Sequence, residues 1–520
     1  MACCLGLVIA ACGDDDDEDG TAATEAPDDA SATTSADTSA ETTDATGATT
    51  ADTAGDTTAT TADGGASGSG EIACGAVDEA FEDETNGHNA GRFVSDVQCG
   101  SDEPLAAEGD PIVVTVQNPE GDPNGSFPEF SLAVEAAVEY INTELGGLGA
   151  DMQERIPGRP IQLEICREAI SPDDSQRCAN ESVAKSPMFA VGSINFFGNH
   201  IPVYQAAGIP LIVASPVTIA DFTSEDIYSI GGGGGCLGNH TGMVEFATND
   251  LGGTRIAVPW ADTPPGVVCY YDLEAKPLDV LKGTVEGDAE RAGTIPDLEH
   301  IGVPIKPATP DVTPMVTQVL DFDPDVILFS AQGADCWNLV DGLGRLGWTP
   351  DQIPLVLSGA CVDFEAMAAA GDLAKGIYFV GAAGSTFGDP ETIDNAVDKF
   401  EAEIYQTKAV EYGLPEPDVF KGFAGAGWNT MLTIWETANL IVLDGGEVSG
   451  ETIAEAFAAT DGDHAFGSTP LSCSTAAPPY VAICNALVAA TTWDGEKLVP
   501  ANPLFTGVDL VAGTELKPGP

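Results

Sequence analysis

Residues 111–145 read PIVVTVQNPEGDPNGSFPEFSLAVEAAVEYINTEL, and this stretch sets the expectation for the fold. Residues 111–117 are almost continuously apolar, as in a strand that is covered on both faces. After a loop rich in Gly, Pro and Asn, apolar residues recur at helical spacing over residues 129–145. Gly146 and Gly147 predict the end of this amphipathic helix. A buried strand followed by such a helix is typical of an α/β fold.

The same pair of elements repeats along the chain. Ser171 is a predicted helix cap, because Pro172 follows it and Asp174 lies three residues further on. Strands are predicted at residues 161–166, 189–191, 208–215, 255–259, 325–330, 355–358 and 376–381. Strands that alternate with helices predict parallel sheets covered by helices, and the chain is long enough for two such sheets.

The size and charge of the chain limit what it can do. With 520 residues, of which 43% are hydrophobic, it has material for two domains. It carries 83 Asp and Glu against 18 Lys and Arg, a formal net charge of −65. Such a charge repels phosphate backbones and anionic lipid head groups, which argues against a nucleic-acid partner.

The first twelve residues resemble the end of a bacterial lipoprotein signal. Val8-Ile9-Ala10-Ala11 precedes Cys12, and an Asp-rich run follows. The apolar run is shorter than the ~20 residues that a membrane span needs. The resemblance implies that Cys12 is acylated and becomes the mature N-terminus. Because no Lys or Arg precedes the run, we expect the true start to lie upstream of Met1. The alternative is an ordinary terminus with a free cysteine.

Residues 13–70 consist almost entirely of Thr, Ala, Asp, Ser and Gly and contain no aromatic residue. A segment of this composition cannot bury enough apolar surface to offset the entropy lost on folding. We therefore predict a disordered linker that holds the folded part away from the membrane. Residues 71–110 contain Cys74 and Cys99 but show little periodicity, and they are expected to form a small cysteine-containing extension.

Ten of the thirteen cysteines follow the signal segment. An even number outside a reducing cytosol indicates five disulfides, and the spacing favours neighbours along the chain, although the sequence leaves the connectivity open. The favoured pairs are Cys74 with Cys99, Cys166 with Cys178, Cys236 with Cys269, Cys336 with Cys361, and Cys473 with Cys484. A zinc site is the alternative, but the ten include no C-x-x-C pair and the five histidines are scattered, so neither a metal nor a cofactor is predicted.

The order of these features resembles the solute-binding lipoproteins of ABC transporters of the branched-chain amino acid (Leu/Ile/Val) type, which have the periplasmic binding protein class I fold. The resemblance runs from about residue 112 to residue 499 and rests on the order of several short motifs. These are Tyr140-Ile141-Asn142 before Gly146-Gly147, Pro172-Asp173, Val191-Gly192-Ser193, Gly208-Ile209-Pro210-Leu211-Ile212, Ala214-Ser215-Pro216, Pro324-Asp325-Val326-Ile327-Leu328 and Ala426-Gly427-Trp428-Asn429.

The resemblance implies two Rossmann-like lobes with parallel sheets, joined by three crossovers that form a hinge. Lobe 1 would comprise residues 111–231 and 384–460, and lobe 2 would comprise residues 232–383 and 461–511. The glycine run 231–235 would then lie at the first crossover, where bending needs backbone freedom. The run also spells G-x-G-x-x-G, but Trp260 stands where a dinucleotide-binding fold needs an acidic residue, so that interpretation is disfavoured.

A small zwitterionic ligand needs hydroxyls and backbone N–H groups for its carboxylate, and a carboxylate for its ammonium group. Two strand ends in lobe 1 resemble the positions where the family holds a ligand carboxylate. They supply the candidates Ser193, Asn195, Ser215 and Thr218. The alternative is that these hydroxyls only cap helices. Further candidates after the first strand are Gln117 and Phe127.

Lobe 2 offers polar residues at two strand ends for the other side of the ligand. Trp260 and Asp262 end one strand, and Gln332 and Asp335 follow another. Asp335 falls close to the position where the family has an acidic group for the ligand ammonium, so the resemblance implies that role. It is alternatively a first-turn acid that balances a helix dipole. Trp260 can stack on a ligand or form only the wall of the cleft.

These features predict the extracytoplasmic solute-binding component of an ABC importer, held at the cell membrane by its lipid alone. Its partners would be an ABC permease and a small polar solute: an amino acid, an amide or a urea-like molecule. The chain contains no H-E-x-x-H, P-loop or G-x-S-x-G motif, so no enzyme activity is predicted. An extracellular lipoprotein hydrolase and a ligand-sensing ectodomain without transport are the alternatives.

Overall fold

The computed structural model describes residues 91–100, 102–382, 387–476 and 478–516. The predictions for the signal segment 1–12, the linker 13–70 and Cys74 lie outside these residues. The described part of the chain forms two α/β lobes, each built on its own sheet. This arrangement confirms the predicted fold class.

The sheet of lobe 1 has five parallel strands in the order β2-β1-β3-β4-β5. The strands are β1 (Ile112–Pro119), β2 (Ile161–Glu168), β3 (Phe189–Gly192), β4 (Leu211–Val213) and β5 (Ile227–Ser229). The strand order reverses between β1 and β3. In open sheets of this kind, ligands bind in the crevice at the carboxyl ends of the strands where the order reverses.

Among the described residues, the helices that precede the second sheet are α1 (Gly91–Gln98), α2 (Pro128–Thr143), α3 (Pro172–Ala184), α4 (Ile201–Ala207) and α5 (Ile219–Thr223). Helix α2 buries the apolar stripe that the sequence predicts, including Phe130, Val134 and Ile141. The predicted cap of α3 is present, because the Asp174 N–H donates a hydrogen bond to the Ser171 hydroxyl. Local sequence signals therefore set the start of this helix.

The described part of the cysteine-containing extension packs on lobe 1. Helix α1 was not predicted, because its stretch lacks a long apolar pattern, yet it buries Val94 and Val97. The Leu105 N–H donates to the Glu144 carbonyl, and the Leu105 carbonyl accepts a hydrogen bond from Gly146, just after α2. The extension thus covers the end of α2.

The sheet of lobe 2 has seven strands in the order β12-β11-β10-β9-β8-β6-β7. They are β6 (Arg255–Ala261), β7 (Glu299–Ile305), β8 (Val326–Phe329), β9 (Leu355–Ser358), β10 (Tyr378–Ala382), β11 (Val488–Trp493) and β12 (Leu498–Phe505). Strands β6 to β10 pair in parallel, whereas β11 and β12 form an antiparallel edge that the sequence did not predict. The order reverses between β6 and β8, which places a second crevice at their carboxyl ends.

The helices of lobe 2 are α6 (Cys236–Glu245), α7 (Pro264–Tyr270), α8 (Lys276–Lys282), α9 (Thr313–Asp321), α10 (Ala334–Arg345) and α11 (Phe364–Ala370). Four of the five favoured disulfides are present: Cys166–Cys178, Cys236–Cys269, Cys336–Cys361 and Cys473–Cys484. The predicted pairing of Cys74 with Cys99 stays a prediction, because Cys74 lies outside the described residues. Neighbour pairing therefore holds wherever both cysteines are described.

The chain returns to lobe 1 with α12 (Ala396–Glu411), α13 (Ala424–Leu443) and α14 (Gly450–Ala459). Helix α13 packs along α2 and buries Trp428 and Trp435. The segment that follows α14 also lies with lobe 1, since Ser229 pairs with Ile483, although the sequence-based division gives residues 461–511 to lobe 2. The limits of the domains stay predictions. Among the described helices, none combines the length and apolar character needed to cross a bilayer.

Three segments connect the lobes: the first between β5 and α6, the second between β10 and α12, and the third between α14 and β11. They meet at the glycine run 231–235. Gly232 lies in the first segment, Ala382 at the start of the second and Ser468 in the third. A Cβ atom on Gly232 would lie 2.7 Å from both the Ala382 Cβ and the Ser468 Oγ. Gly235 has a φ of 57°, in the region that favours glycine. Close packing and backbone conformation therefore both require glycine at this meeting point.

Candidate functional site

The carboxyl ends of the two sheets face each other. A Cβ atom on Gly125, in the loop after β1, would lie 3.4 Å from Nε2 of Gln332, which follows β8. Beside this approach, Phe420 of lobe 1 stacks on Phe364 of lobe 2, with ring centroids 4.6 Å apart. We call residues 362–364 and 420–422 the lobe contact. The predicted ligand residues lie at the strand ends on either side of it.

The side-chain amides of Gln117 and Asn195 form hydrogen bonds within lobe 1. The Gln117 Nε2 donates to Glu168 Oε2 (2.5 Å) and to the Ser175 carbonyl (2.9 Å). The Asn195 Nδ2 donates to Glu168 Oε1 (3.1 Å) and to Ser175 Oγ (2.7 Å). All four residues are buried. Burial raises the pKa of Glu168 to about 7, although the hydrogen bond from Gln117 lowers it. These two predicted ligand residues therefore hold a buried carboxyl group.

Ser193 and Phe127 are brought together through Asn118, a residue that the sequence did not single out. The Ser193 hydroxyl donates to Asn118 Oδ1 (2.5 Å), and the Asn118 Nδ2 donates to the Phe127 carbonyl (2.8 Å) and to Ser131 Oγ (3.0 Å). The Phe127 ring packs on Phe423 with centroids 4.7 Å apart. Asn118 could have been predicted from its position directly after Gln117, at the end of a buried strand.

Thr218 caps α5, as the alternative interpretation predicts. Its hydroxyl accepts a hydrogen bond from the Asp221 N–H (3.1 Å), and Asp221 Oδ2 accepts one from the Thr218 N–H (2.9 Å). Burial raises the pKa of Asp221 to about 6. Ser215 differs, because it is half-buried and its hydroxyl forms no hydrogen bond to another described residue. Of the predicted hydroxyls, Ser215 is therefore the one available to a ligand.

Trp260 and Asp262 end β6 in different surroundings. Trp260 is buried and stacks on Tyr270, with ring centroids 5.2 Å apart and an interplanar angle of 3°. Its ring therefore belongs to the core behind the strand end. Asp262 is exposed, and its backbone N–H donates to the Ile305 carbonyl (2.8 Å). The backbone is fixed while the carboxylate remains accessible.

Gln332 and Asp335 follow β8. Gln332 is half-buried beside Gly125 of lobe 1. Asp335 lies in the first turn of α10, as the helix-dipole alternative predicts, and its Oδ1 accepts a hydrogen bond from the Ala308 N–H (3.1 Å). Burial raises the pKa of Asp335. Its position at the strand end is also compatible with contact to a ligand ammonium.

A buried network that the sequence did not reveal supports the end of β8. The His240 Nδ1 lies 3.0 Å from Glu274 Oε1 and 3.2 Å from Ser330 Oγ, and all three residues are buried. Ser330 directly follows β8, so this network holds the backbone that leads to Gln332. No local spacing signal links residues this far apart. A hydrolytic triad needs its serine and its acid on different imidazole nitrogens, whereas both face Nδ1 here.

Glu129 is buried in the first turn of α2, close to the lobe contact. Burial raises its pKa to about 7, with a lowering effect from Lys421 and raising effects from Asp418 and Asp363. The backbone of Lys421 pairs with that of Asp363 in lobe 2. The charge of Glu129 is therefore coupled to groups on both sides of the lobe contact.

Two cavities lie away from these strand ends. The first, of about 180 Å³, is lined by Arg167, Arg177 and Lys185, each of which is paired with an acidic side chain. The second, of about 390 Å³, lies at the far edge of lobe 2 beside Lys375 and Trp493. Neither cavity is lined by a predicted ligand residue, so the strand ends remain the candidate solute site.

Two α/β lobes that are joined by three segments, with polar strand ends facing each other, have the architecture of a two-lobed binding protein. The chain belongs to the periplasmic binding protein family, whose model matches residues 116–477, more than half of the 520 residues. Members of this family are solute-binding proteins rather than enzymes. No curated protein matches the chain.

Solved structures share the fold at low identity. A branched-chain amino acid ABC transporter protein of Thermus thermophilus with bound valine has 15% identity and a TM-score of 0.59, covering 78% of this chain and 98% of its own. The leucine-binding protein LivK of Thermotoga maritima has 14% identity and a TM-score of 0.56, covering 76% and 99%. A solute-binding protein of Rhodopseudomonas palustris in complex with 4-hydroxybenzoate has 17% identity and a TM-score of 0.57, covering 76% and 97%.

Proposed function

We propose that this chain is the extracytoplasmic solute-binding component of an ABC importer, and that its lobes close on an amino acid or a related small polar solute. The observation that carries the proposal is the approach of the loop after β1 to the end of β8 at Gly125 and Gln332. It brings the carboxyl ends of two sheets together at the strands where each order reverses. Such crevices bind small ligands in open α/β sheets.

The two edges supply complementary chemistry for a ligand that carries an ammonium group. Lobe 1 offers the Ser215 hydroxyl, and lobe 2 offers the carboxylates of Asp262 and Asp335. Hydroxyl and backbone donors suit a carboxylate or a carbonyl oxygen, whereas carboxylates suit an ammonium or amide N–H group. The bound solutes of structural relatives, valine and 4-hydroxybenzoate, show that this fold accepts different small molecules.

The proposal includes a lipid anchor at Cys12 and delivery of the solute to a membrane permease. The support for the anchor is the apolar run before Cys12 and the Asp-rich run after it. If Cys12 carries the lipid, the Cys12→Ser variant should move from the membrane fraction to the soluble fraction. If the wild type and the variant partition equally, the proposed anchor is wrong, but the proposed binding function is unaffected.

The ligand can be recovered from the protein itself. The protein purified from its host is denatured, and the released small molecules are measured by mass spectrometry. Each candidate is then added to ligand-free protein, and the melting temperature is recorded at several concentrations. A true ligand stabilises the folded state by RT ln(1 + [L]/Kd), so 100 Kd of ligand adds about 2.7 kcal/mol.

The same samples separate binding from catalysis. We expect the added solute to be recovered unchanged after long incubation, with a higher melting temperature. Conversion of the solute to a product would instead support the extracellular hydrolase. A survey of amino acids, amides and urea in which no compound raises the melting temperature would contradict the proposed solute class.

A further inference from the structure

A buried cluster of two carboxylates and one imidazole joins the third connecting segment to lobe 1. Glu401 lies on α12, Glu436 on α13, and His464 on the segment after α14. The His464 Nε2 is 2.8 Å from Glu401 Oε1, and the His464 Nδ1 is 3.1 Å from Glu436 Oε2. Possible metal-ligating atoms of the three residues all lie within 4.8 Å of one another. Three separate elements therefore present nitrogen and oxygen ligands to one small volume.

The two carboxylates of this cluster are buried, and one of their oxygen atoms has no hydrogen-bond donor. Glu401 is 1% exposed and Glu436 is 3% exposed. Glu436 Oε1 accepts no hydrogen bond within the described part of the chain, and the partner of Glu401 Oε1 is His464 Nε2. A buried carboxylate oxygen without a partner is costly, because it has lost its water and gained nothing in exchange. The cluster therefore favours a positively charged occupant.

The distance between Glu401 Oε1 and His464 Nε2 is close to the spacing of two ligands on one ion. Glu401 Oε1 lies 2.8 Å from Nε2, a distance that fits an ion pair as well as two ligands of one metal ion. Two ligand atoms that are each about 2.1 Å from one metal ion lie about 3 Å apart at right angles and about 3.4 Å apart in a tetrahedral site. The other nitrogen of the ring faces Glu436 at hydrogen-bond distance. A carboxylate in that position commonly orients a metal-bound imidazole.

We propose that Glu401 and His464 bind a divalent transition-metal ion of the zinc class, and that Glu436 orients the His464 imidazole from its other nitrogen. Imidazole and carboxylate donors suit Zn²⁺, Mn²⁺ or Fe²⁺, whereas Ca²⁺ and Mg²⁺ prefer oxygen ligands alone. His464 is partly exposed, with 19% of its side chain accessible. Asp398 lies near enough to Glu401 and His464 to interact electrostatically, and it adds a further carboxyl group to the cluster.

The site would fix the third connecting segment to lobe 1. The Gly467 N–H donates to Glu401 Oε2 (2.8 Å), so the ligand Glu401 already holds the backbone three residues after His464. Ser468, the next residue, lies where the three connecting segments meet at Gly232. An ion bound to Glu401 of α12 and to His464 would therefore stabilise the lobe 1 end of this segment. It would take no part in the proposed solute site.

The rival occupant is a proton on His464. Burial lowers the pKa of His464, but the carboxylates of Glu436 and Glu401 raise it more, so that it lies well above its usual value. An imidazolium between two carboxylates would also balance the charge. The two occupants are distinguishable, because only a metal can be removed by a chelator and replaced by titration.

The test uses the full-length protein, treated with a chelator and then titrated with Zn²⁺, Mn²⁺ or Ca²⁺ alone. Isothermal titration should show one tight Zn²⁺ per chain, a rise in melting temperature of several degrees, and no comparable effect of Ca²⁺. The Glu401→Gln variant should bind Zn²⁺ at least tenfold more weakly. Glu451→Gln is the matched control, because Glu451 is exposed on the neighbouring helix α14; its Zn²⁺ affinity should equal that of the wild type.

A measurement on the unaltered protein keeps the proposal testable if Glu401→Gln does not fold. Nitrogen-15 spectra of the imidazoles should show one His464 nitrogen shifting on addition of one equivalent of Zn²⁺. Both His464 nitrogens remaining protonated at neutral pH with Zn²⁺ present would overturn the site in favour of the imidazolium. Zn²⁺ binding that is equally tight in wild type and Glu401→Gln would overturn it as well, because the ion would then be held by other acids.

Discussion

The carboxyl ends of the two sheets carry similar polar residues but use them differently. In lobe 1, Gln117, Asn118 and Ser193 are at most 3% exposed and form hydrogen bonds to other residues of the same lobe. In lobe 2, Asp262 is exposed, and Gln332 is half-buried. Apart from Ser215, the strand ends of lobe 1 therefore form a preformed wall, whereas lobe 2 presents side chains that a solute can still bind.

The difference follows from the cost of burying polar groups. A buried donor or acceptor without a partner costs about 1–3 kcal/mol, so the enclosed end of β1 has to bond internally. Side chains at the more open edge keep their water until a ligand replaces it. We infer that substitutions at the carboxyl end of the lobe 1 sheet mainly lower the stability of the protein. Substitutions at the carboxyl end of the lobe 2 sheet mainly lower its affinity for the solute.

The largest expected effect is on stability at the lobe 1 edge. Asn118→Ala removes the acceptor for Ser193 and the donor for the Phe127 carbonyl, and leaves both groups buried. We expect the free energy of unfolding to fall by about 3 kcal/mol. Gln332→Ala is the counterpart in lobe 2 and should cost less than about 1 kcal/mol. Urea denaturation measures both variants, and equal losses would contradict the distinction between the two edges.

The second effect is a pH dependence from the acid that is buried beside the lobe contact. The pKa of Glu129 rises from 4.5 to about 7 on folding, so the folded state binds the proton more tightly than the unfolded chain. Its contribution to stability is therefore full below pH 4.5 and is lost as the pH rises to 7. We expect Glu129→Gln to remove a stability change of up to about 3 kcal/mol over this range.

Glu139→Gln is the control for this pH dependence, because Glu139 is exposed on the same helix. The stability of each protein is measured by urea denaturation at a series of pH values. The wild type and Glu139→Gln should lose stability between pH 4.5 and 7 more steeply than Glu129→Gln. Parallel curves for all three proteins would show that Glu129 does not carry the effect.

A smaller effect is expected on affinity at the lobe 2 edge. Asp335→Asn keeps the shape of the side chain but removes its charge, and should weaken binding of an ammonium-bearing solute about tenfold, or about 1.4 kcal/mol. Asp341→Asn on the same helix is the control, because Asp341 is exposed away from the strand end. Isothermal titration with the recovered solute measures both, and an unchanged affinity for Asp335→Asn would remove this residue from the site.

The smallest expected effect comes from the available hydroxyl of lobe 1. Ser215→Ala removes a single uncharged donor and should weaken solute binding about fivefold, or about 1 kcal/mol, with little change in stability. Ser224→Ala serves for comparison, since Ser224 precedes β5 and therefore lies at the opposite edge of the sheet. A loss of stability without a loss of affinity would make Ser215 a structural residue like Ser193.

The parts of the fold that could be predicted are those set by local signals. The strand at residues 355–358 agrees with β9, because four buried residues leave a clear apolar run. The Ser171 cap was predictable from its spacing to Asp174. β12 was missed, because Leu498 is the one buried residue of this strand and its apolar pattern is therefore weak.

The site was predictable only as a set of strand ends. The sequence placed Gln117 and Ser193 at such ends; Ser193 directly follows β3, and Gln117 lies two residues before the end of β1. It gave no sign that Gln117 would hold Glu168, 51 residues away, or that His240 would support Ser330, 90 residues away. Those pairings depend on how distant strands and helices meet, and no periodicity along the chain encodes them. Which strand-end side chains remain open to a ligand is likewise a property of the packed lobes.

The central claim is that one solute contacts both lobes at their strand ends. Hydrogen exchange of the full-length protein, with and without the solute recovered from it, tests this claim most directly. The account predicts slower exchange in peptides that cover residues 193–198 of lobe 1 and residues 331–336 of lobe 2, and no change over α9. Slower exchange in only one of these two peptides, or only at the cavities beside Arg177 or Lys375, would contradict it.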